Sequence, residues 1–276
     1  MQITIITPVF NGAKYIRQCI ENVVNQYCDS VEHLIMDGAS KDGTQEIVLE
    51  LAENHSHILL ISEKDKGQSD AMNKGIAAAK SKIISFLNVD DFYEPGILNR
   101  VLEIFKDLPE PSFVCGNLNI LNADGSLKHF NKPDKISLPE LASNCFEWPY
   151  NPAAYFYHKS LHQKTGTYNS ENHFCMDYEF ILNAARFVDL KHVDQLWGNF
   201  VMVEDSKTQN SHSETLEVAF AAGEKVRQEV ISTFSDTQRM QLKTILAENK
   251  PMLLPEKPKR ASKLVKIRNK IKALLR

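Results

Sequence analysis

Residues 3–26 read ITIITPVFNGAKYIRQCIENVVNQ, a short run of β-branched residues followed by a helical pattern. The same alternation continues to residue 87. The predicted strands and helices are, in chain order, 3–9, 14–25, 33–36, 44–54, 58–62, 69–80 and 83–87. Because parallel strands need crossover helices and are buried on both faces, this order predicts an α/β fold with a mostly parallel central sheet flanked by helices.

The second half of the chain predicts a different set of elements. An Asp-Gly pair at 124–125, between strand-like runs at 113–121 and 126–130, indicates a β-hairpin. A further strand is expected at 153–157, and helices are expected at 177–186, 213–234 and 236–248. Three prolines, at 251, 255 and 258, then mark a linker before a final helix at 262–276.

The composition is typical of a globular protein. The chain has 276 residues, of which 43% are apolar and 24% charged, so it can bury a sizeable core. Collagen-like, low-complexity and wholly disordered classes are excluded by the same figures. No apolar stretch approaches the roughly 18 residues of a membrane-spanning helix, so no membrane span is predicted.

Cysteine usage and the N-terminus both favour the cytoplasm. The five cysteines are odd in number and widely scattered, with no C-x-x-C pair and no zinc-type cluster, as expected in a reducing compartment. The first residues, MQITIITPVF, lack the basic start and long apolar run of a signal peptide. We therefore expect a cytoplasmic protein.

The net charge of −3 averages two unlike parts of the chain. Residues 250–276 hold ten basic residues against one acid, a local charge of +9, which leaves −12 for residues 1–249. Within 262–276 the apolar residues fall on one helical stripe and the basic residues lie mainly on the other side. Residues 259–276 are therefore expected to dock peripherally on an anionic membrane surface. The alternatives are packing on the rest of the chain or disorder, and the acidic body argues against nucleic-acid binding.

Acidic residues follow two of the predicted strands. Ligands of α/β sheets collect beyond the carboxyl ends of the strands, where the sequence places Asp37, Asp90 and Asp91. Adjacent carboxylates at 90 and 91 suit Mg²⁺ or Mn²⁺, and the alternative is a turn or the N-cap of a helix near Pro95. Asp37 can accept hydrogen bonds from a base or ribose. Asp42, in the same loop, is better explained as a helix cap.

Two common nucleotide fingerprints are missing. Neither G-x-G-x-x-G nor G-x-x-x-x-G-K-[ST] occurs in the sequence, which argues against a dehydrogenase or an ATPase. The charged loop 63–70 joins a predicted strand to a predicted helix at the same edge of the sheet. Lys66 and the start of that helix are therefore candidate phosphate neighbours.

Four segments, in this order and spacing, resemble the family-2 glycosyltransferases of GT-A fold. They are ITPVFNGAKYIRQCIENVVNQ, LIMDGASKDGT, EKDKGQSDAMNKGI and FLNVDD, and the resemblance covers about residues 1–212. It implies a nucleotide-sugar donor, a divalent metal (Mn²⁺ or Mg²⁺) and inversion at the anomeric carbon. It also implies a nucleotide-sugar-binding half (1–100) and an acceptor and catalytic half (101–212) of one domain. The sequence pattern adds C-terminal helices (213–249) and the linker with its basic helix (250–276).

Carried over position by position, the resemblance implies a donor site. Asp37 would contact the base, and Asn88-Val89-Asp90-Asp91 stands where the family has a D-x-D-type motif, with Asn at the first acidic position. That departure leaves open whether Asp90 or Asp91 is the principal metal ligand. The other implied donor-site residues are Thr7, Pro8, Val9, Asp65, Lys66, Gly67, Asp70 and Asn73.

The same resemblance identifies Asp177 as the candidate general base. The family often has an acidic pair before an aromatic helix, and FCMDYEF (174–180) supplies only the second acid, Asp177. An inverting displacement needs a carboxylate on the face opposite the leaving diphosphate to take the acceptor hydroxyl proton. The alternative, compatible with the first, is that Asp177 is a helix N-cap. His212 lies where some relatives place a loop over the diphosphate, although a lone histidine in a polar loop is more often simply exposed.

These observations predict an inverting glycosyltransferase that transfers a sugar from a nucleoside diphosphate to an acceptor hydroxyl, in cell-surface polysaccharide or glycolipid synthesis. One alternative is a sugar nucleotidyltransferase, which would normally carry a Gly-rich basic loop that ITPVFNGAKY lacks. The other is a non-catalytic nucleotide-sugar-binding module anchored by its tail. Met176 and Asn88, at positions often acidic in the family, favour that second alternative.

Overall fold

The first half folds into the predicted alternation of parallel strands and helices. The computed structural model describes residues 2–172, 175–203 and 213–252, with only the backbone of 213–217 and 219. The elements of the first half are β1 (Ile3–Val9), α1 (Ile16–Val24), β2 (Val31–Asp37), α2 (Thr44–Ala52), β3 (Ile58–Ser62), α3 (Gln68–Ala78) and β4 (Ile83–Phe86). The four strands pair in parallel in the order β3-β2-β1-β4.

The second half adds mostly antiparallel strands to the same sheet. Its elements are β5 (Phe92–Tyr93), α4 (Ile97–Lys106), β6 (Phe113–Asn122), β7 (Leu127–Asn131), α5 (Leu138–Ser143), β8 (Tyr155–His158), α6 (His162–Thr165), α7 (Met176–Ala184), β9 (Leu190–Met202), α8 (Ser213–Ser232) and α9 (Asp236–Glu248). The described strands form one sheet in the order β3-β2-β1-β4-β8-β6-β9-β5, with β7 paired to β6. Both halves of the chain therefore share a single sheet.

Helices cover both faces of the sheet because each carries an apolar stripe. In α1 the buried residues are Ile16, Cys19, Ile20 and Val23, spaced three and four apart as one helical face requires. On the opposite face, α3 lies so close to β1 that a Cβ on Gly75 would overlap a methyl carbon of β1. Since α3 is the crossover between parallel strands, its first residues lie at the edge where those strands end.

Two differences from the predicted boundaries lie near residues of the predicted site. The strand expected at 153–157 begins at Tyr155, because Pro152–Ala154 forms a 3₁₀ turn. The helix expected at 177–186 runs Met176–Ala184, with Cys175 at its N-cap position. Asp177 therefore lies inside the first turn, and the N-cap alternative for this residue is wrong.

Strand β9 is absent from the sequence prediction although it has 13 residues. Its sequence, LKHVDQLWGNFVM, interrupts the apolar residues with polar ones and lacks a strict alternation. The strand forms because it pairs in parallel along β6, with register shifts around Asn117. Long-range pairing thus overrides a weak local pattern.

The two C-terminal helices agree with the sequence prediction. α8 and α9 correspond to the helices expected at 213–234 and 236–248. Within the described ranges, none of the helices combines the length and apolar composition needed to cross a bilayer. The predicted amphipathic helix at 262–276 lies outside the described residues.

Candidate active site

The carboxyl ends of the parallel strands meet at one edge of the sheet, as predicted. Val9, Asp37 and Ser62 are in register at the ends of β1, β2 and β3. β4 ends beside them, because the Leu87 N–H donates to the Ile6 carbonyl oxygen at 3.0 Å. Loops 10–13, 38–43, 63–67 and 87–91 follow these strands, and together they form what we call the strand-end rim.

Asp37 holds its own loop in place. The residue is 2% exposed, and both of its carboxylate oxygens lie 3.2 Å from the Ser40 N–H that donates to them. The Ser62 hydroxyl donates to Asp37 Oδ2 at 2.6 Å. Contact between Asp37 and a nucleotide base stays a prediction. Any such contact would share a carboxylate that the protein already engages.

Gly38 allows two loops of the rim to touch. A Cβ on this residue would come within 2.6 Å of Asp65 Oδ2, and the other Asp65 oxygen accepts the Gly67 N–H at 2.8 Å. Phe10 lies next to Gly38 and exposes 67% of its surface. An exposed aromatic ring at the end of a buried strand is a candidate ligand-contact residue. The sequence analysis did not select Phe10 as a site residue, although it directly follows Pro8 and Val9 at the end of the predicted strand.

The side chains of Thr7 and Val9 are buried, so their predicted lining role rests on the backbone. Thr7 is completely buried, with Oγ1 lying 3.0 Å from His33 Nε2. Val9 is 5% exposed and packs in the cluster beneath α1. Alternate residues of a strand face opposite sides, so Pro8 points the other way and is partly exposed. Of the three predicted residues, only Pro8 offers side-chain surface.

The loop from β3 to α3 is held by its own charged residues. The Lys66 N–H donates to Asp70 Oδ2 at 3.0 Å, and the exposed Lys66 side chain stays available to a phosphate. Asn73 has a structural partner instead: its amide donates to the Tyr168 carbonyl at 2.8 Å and accepts the Tyr168 N–H at 2.8 Å. Asn73 therefore clamps residue 168 to α3 rather than presenting its amide to the rim.

Asp91 is a buried carboxylate surrounded by donors. It is 2% exposed, and three groups donate to it: Asn88 Nδ2 at 2.9 Å, Asn151 Nδ2 at 2.8 Å and the Val201 N–H at 3.1 Å. Burial and the adjacent charge of Asp90 raise the pKa of Asp91, while the three donors lower it. These bonds tie the end of β4 to the 3₁₀ turn before β8 and to the end of β9.

Asp90 is the more available of the two carboxylates. It is partly exposed, and within the described part of the chain no other residue donates a hydrogen bond to it. Burial raises the pKa of Asp90 as well. Asn88 stands at the position where the family has an acid. Its amide donates to Asp91, whereas a carboxylate at this position would repel the Asp91 carboxylate. Val89 packs against Gly12, in the neighbouring loop of the rim.

These residues fit a divalent cation that is bound partly by the protein and partly by a substrate phosphate. The described residues contain no group of three or more His, Cys, Asp or Glu side chains arranged to hold a metal on their own. Mg²⁺ in nucleotide sites is commonly bound through one or two carboxylates plus substrate phosphates. Asp90, whose carboxylate accepts no hydrogen bond from another described residue, matches that type of site.

Asp177 lies in the first turn of α7, where a buried tyrosine holds it. The Tyr155 hydroxyl, from β8, donates to Asp177 Oδ1 at 2.8 Å. Negative charge in the first turn of a helix is favoured by the helix dipole. The N-terminus of α7 and the hydroxyl together define the position of this carboxylate.

The start of α3 connects Asp177 to the rim. The Gln68 amide donates to Asn88 Oδ1 at 3.1 Å, and the hydroxyl of the next residue, Ser69, donates to Met176 Sδ at 2.9 Å. One turn of helix thus contacts both the loop that carries Asp90 and the residue before Asp177. The fold therefore brings the predicted metal ligand and the predicted base to the same edge of the sheet.

Several residues that build the site carry weak sequence signals. Asn151 precedes a proline and reads as an ordinary turn residue, yet it donates to Asp91 and caps the 3₁₀ turn by accepting the Ala153 N–H at 2.8 Å. Tyr155 reads as a core strand residue. His212 lies outside the described residues, so its predicted loop stays untested.

Comparisons with known proteins identify the family. The sequence model described as glycosyl transferase family 2 matches residues 4–165. The chondroitin synthase of Escherichia coli is 28% identical over 212 residues, covering 72% of this chain and 29% of that protein. The hyaluronan synthase of Pasteurella multocida is 27% identical over 207 residues, covering 74% of this chain and 21% of that protein. The chain thus spans less than a third of the length of these relatives.

Solved structures show the same fold at low sequence identity. S. aureus TarS 1–349 in complex with UDP has a TM-score of 0.64 and 15% identity, covering 90% of this chain and 70% of that one. The mannosyltransferase PcManGT from Pyrobaculum calidifontis, in complex with GDP-Man and Mn²⁺, has a TM-score of 0.56 and 16% identity, covering 91% and 81%. The predicted GT-A fold is confirmed, and because the family match extends over more than half of its length, the chain belongs to glycosyl transferase family 2.

Proposed function

We propose that this protein is an inverting glycosyltransferase that transfers a sugar from a nucleoside diphosphate to an acceptor hydroxyl. One observation carries the proposal: a single turn of α3 contacts both the loop that presents Asp90 and the start of the helix that presents Asp177. A cation-binding carboxylate and a separate base are the two protein groups that such a displacement needs.

The donor site is assigned to the strand-end rim. Ligands of open α/β sheets bind beyond the carboxyl ends of the strands, which is where the rim lies. Phe10 offers a ring for stacking, Pro8 offers partly exposed surface, and Asp37 and Asp65 hold the two loops around them. Two structures of this fold contain UDP and GDP-Man, which supports a nucleotide-sugar donor.

In the transfer step, Asp177 acts as the general base. The acceptor oxygen forms a bond to the anomeric carbon while its proton moves to the Asp177 carboxylate. The bond between the anomeric carbon and the diphosphate oxygen breaks, and the nucleoside diphosphate leaves with that electron pair. Attack from the face opposite the leaving group inverts the configuration of the anomeric carbon.

Asp90 is the residue we assign to a divalent cation. When bound, Mn²⁺ or Mg²⁺ would neutralise charge on the diphosphate. Asp91 would act by holding the loop, because its oxygens are already engaged by three donors. The Mn²⁺ bound to PcManGT supports a divalent cation in this fold.

The acceptor is assigned by chemical class. The chondroitin and hyaluronan synthases named above are polysaccharide-synthesising relatives, so we propose a cell-surface polysaccharide or glycolipid as the acceptor. We keep the proposed division at residue 100 into a donor half and an acceptor half. Docking on an anionic membrane through residues 259–276 also stays a proposal, which deletion of that segment and vesicle co-sedimentation would test.

The function is tested by nucleoside diphosphate release. The full chain is incubated with UDP-GlcNAc, other UDP-sugars and GDP-mannose, with and without Mn²⁺, and with oligosaccharide acceptors. Asp90→Asn and Asp177→Asn should each lower turnover at least about 100-fold, since general base catalysis alone is worth about 10²- to 10⁴-fold. Asp107→Asn, an exposed carboxylate at the end of α4, is the matched control. Undiminished turnover in both site variants would refute the assignment.

A further inference from the structure

We propose that Tyr155 is the positioning residue for Asp177, fixing one carboxylate oxygen in place so that the base is held ready for the acceptor hydroxyl. The inference rests on the proposed function, in which Asp177 takes the acceptor proton. It goes beyond that function by assigning a role to a residue that contacts neither donor nor metal.

Tyr155 cannot move easily. The residue is completely buried in β8, and its ring stacks on Phe113 with ring centres 5.2 Å apart and planes at 28°. Its carbonyl oxygen accepts the Ser85 hydroxyl at 2.7 Å, which ties β8 to β4. Protein interiors are close-packed, so a completely buried ring stacked on Phe113 keeps its orientation. The hydroxyl is therefore a fixed point inside the sheet.

The fixed hydroxyl is directed at the base. It donates to Asp177 Oδ1 at 2.8 Å, and a hydrogen bond to an ionised acceptor is about twice as strong as a neutral one. Asp177 lies in the first turn of α7, and the bond from Tyr155 fixes its Oδ1 relative to the sheet.

The hydroxyl remains a donor throughout the neutral pH range. Burial, followed by the charge of Asp177, raises the pKa of Tyr155 well above its usual value. Because Tyr155 stays protonated, it stabilises the ionised form of Asp177, and such a bond lowers the pKa of the carboxyl that accepts it. The carboxylate is thereby kept in the form that can accept a proton.

Three further titratable groups of the described chain face Asp177. Burial raises the pKa of Tyr157, Tyr168 and Cys175, and the charge of Asp177 raises each of them further. All three are therefore neutral near pH 7. From α8, Glu224 and Arg227 face Tyr178, the next residue of α7. Because burial also raises the pKa of Asp90, the acidic limb alone does not identify the titrating group, so the pKa of Asp177 is also measured directly.

Tyr157 provides a matched control. It lies two residues along the same strand, is also completely buried, and its ring stacks on the same Phe113 with centres 6.0 Å apart. Its hydroxyl lies 3.0 Å from His162 Nε2 instead of an Asp177 oxygen. Replacing either tyrosine by phenylalanine removes one buried hydroxyl and keeps the stacked ring. The two variants therefore differ mainly in the loss of the bond to Asp177.

The experiment compares Tyr155→Phe, Tyr157→Phe and Asp177→Asn in the full chain. For Tyr155→Phe we expect kcat to fall about 10- to 100-fold, the range that a mispositioned reacting group costs, with the donor KM within about twofold. The acidic limb of kcat/KM should move up by about one to two pH units, since a hydrogen bond to a charged group is lost. Tyr157→Phe should keep kcat within about threefold.

A second measurement needs no turnover. Carboxyl ¹³C NMR of aspartate-labelled protein gives the pKa of Asp177 directly, with the resonance identified by its loss in Asp177→Asn. The pKa should be about one to two units higher in Tyr155→Phe and unchanged in Tyr157→Phe. An unchanged pKa in Tyr155→Phe overturns the proposal whether or not a donor has been found.

The outcomes separate this proposal from the function it rests on. If Asp177→Asn is inactive but Tyr155→Phe keeps the wild-type kcat, the positioning role is wrong and the base assignment stands. If Asp177→Asn is fully active, the base assignment fails and the positioning role fails with it. If both tyrosine variants lose kcat equally, the loss belongs to the aromatic packing, and the specific role of Tyr155 is again refuted.

Discussion

Asp90 and Asp91 are neighbours in sequence, but the structure predicts opposite consequences of removing them. Asp91→Ala removes the acceptor of three donors: the buried Asn151 amide and the partly buried Asn88 amide and Val201 N–H. Asp90→Ala removes a partly exposed carboxylate to which no other described residue donates. We therefore expect the first variant to lose stability and the second to lose activity.

The size of the stability loss follows from the contacts of Asp91. Each donor left buried and unpaired costs about 1–3 kcal/mol, and part of the total is offset because a buried carboxylate no longer has to be desolvated. We expect a net loss of about 2–4 kcal/mol, or a melting temperature about 5–15 °C lower for a domain of this size. Asp90→Ala should change stability by less than about 1 kcal/mol, since it also removes the charge that raises the pKa of Asp91.

Urea unfolding followed by circular dichroism measures the first effect, and Mn²⁺-dependent nucleoside diphosphate release measures the second. Asn151→Ala, which removes one of the three donors, is the graded control and should cost about 1–2 kcal/mol. The reasoning is refuted if Asp91→Ala unfolds within about 0.5 kcal/mol of wild type. It is refuted equally if Asp90→Ala is as unstable as Asp91→Ala, because the two carboxylates would then share one structural role.

Three further expectations concern the scaffold. Gly75→Ala should destabilise the protein by about 1–3 kcal/mol, because the new Cβ would overlap a side chain of β1. Gly223→Ala, in α8, has ordinary clearance and should stabilise the protein by about 0.5–1 kcal/mol. Equal effects of the two variants in thermal melts would contradict this expectation. Burial lowers the pKa of His33 to about 3, so this histidine is protonated in the unfolded state at a higher pH than in the folded state. The free energy of unfolding should therefore fall as the pH drops below about 6.5, and it should fall less steeply with pH in His33→Gln. Asn73→Ala should lose about 1–2 kcal/mol through its two bonds to Tyr168, while donor affinity measured by calorimetry stays within about twofold.

The first half of the fold was predictable because its information is local. Each parallel strand is a short apolar run followed by a helix with one apolar stripe, and the loops between them are short. The rule that ligands bind beyond strand ends then selects the rim, and with it Asp37 and Asp90. Neither inference needs knowledge of which distant residues pack together.

The second half was less predictable because its order comes from distant contacts. Asp91 receives donors from residues 60 and 110 positions away, and β9 forms by pairing with β6 rather than from its own pattern. The Tyr155 hydroxyl reaches Asp177 across 22 positions. No local pattern marks such partners, so the residues that hold the site together are those that sequence reasoning missed.

Side-chain alternation sharpens one prediction. Thr7, Pro8 and Val9 were all expected to line the donor site, and because the side chains of consecutive strand residues point to opposite faces, a lining role for Thr7 and Val9 rests on their backbone. The Asp90-Asp91 pair shows the same divergence at the end of β4, where one carboxylate is buried among donors and the other is partly exposed. A motif therefore locates the edge of the sheet at which a site forms. Which of its side chains meet the ligand is decided by the buried partners that the rest of the chain supplies.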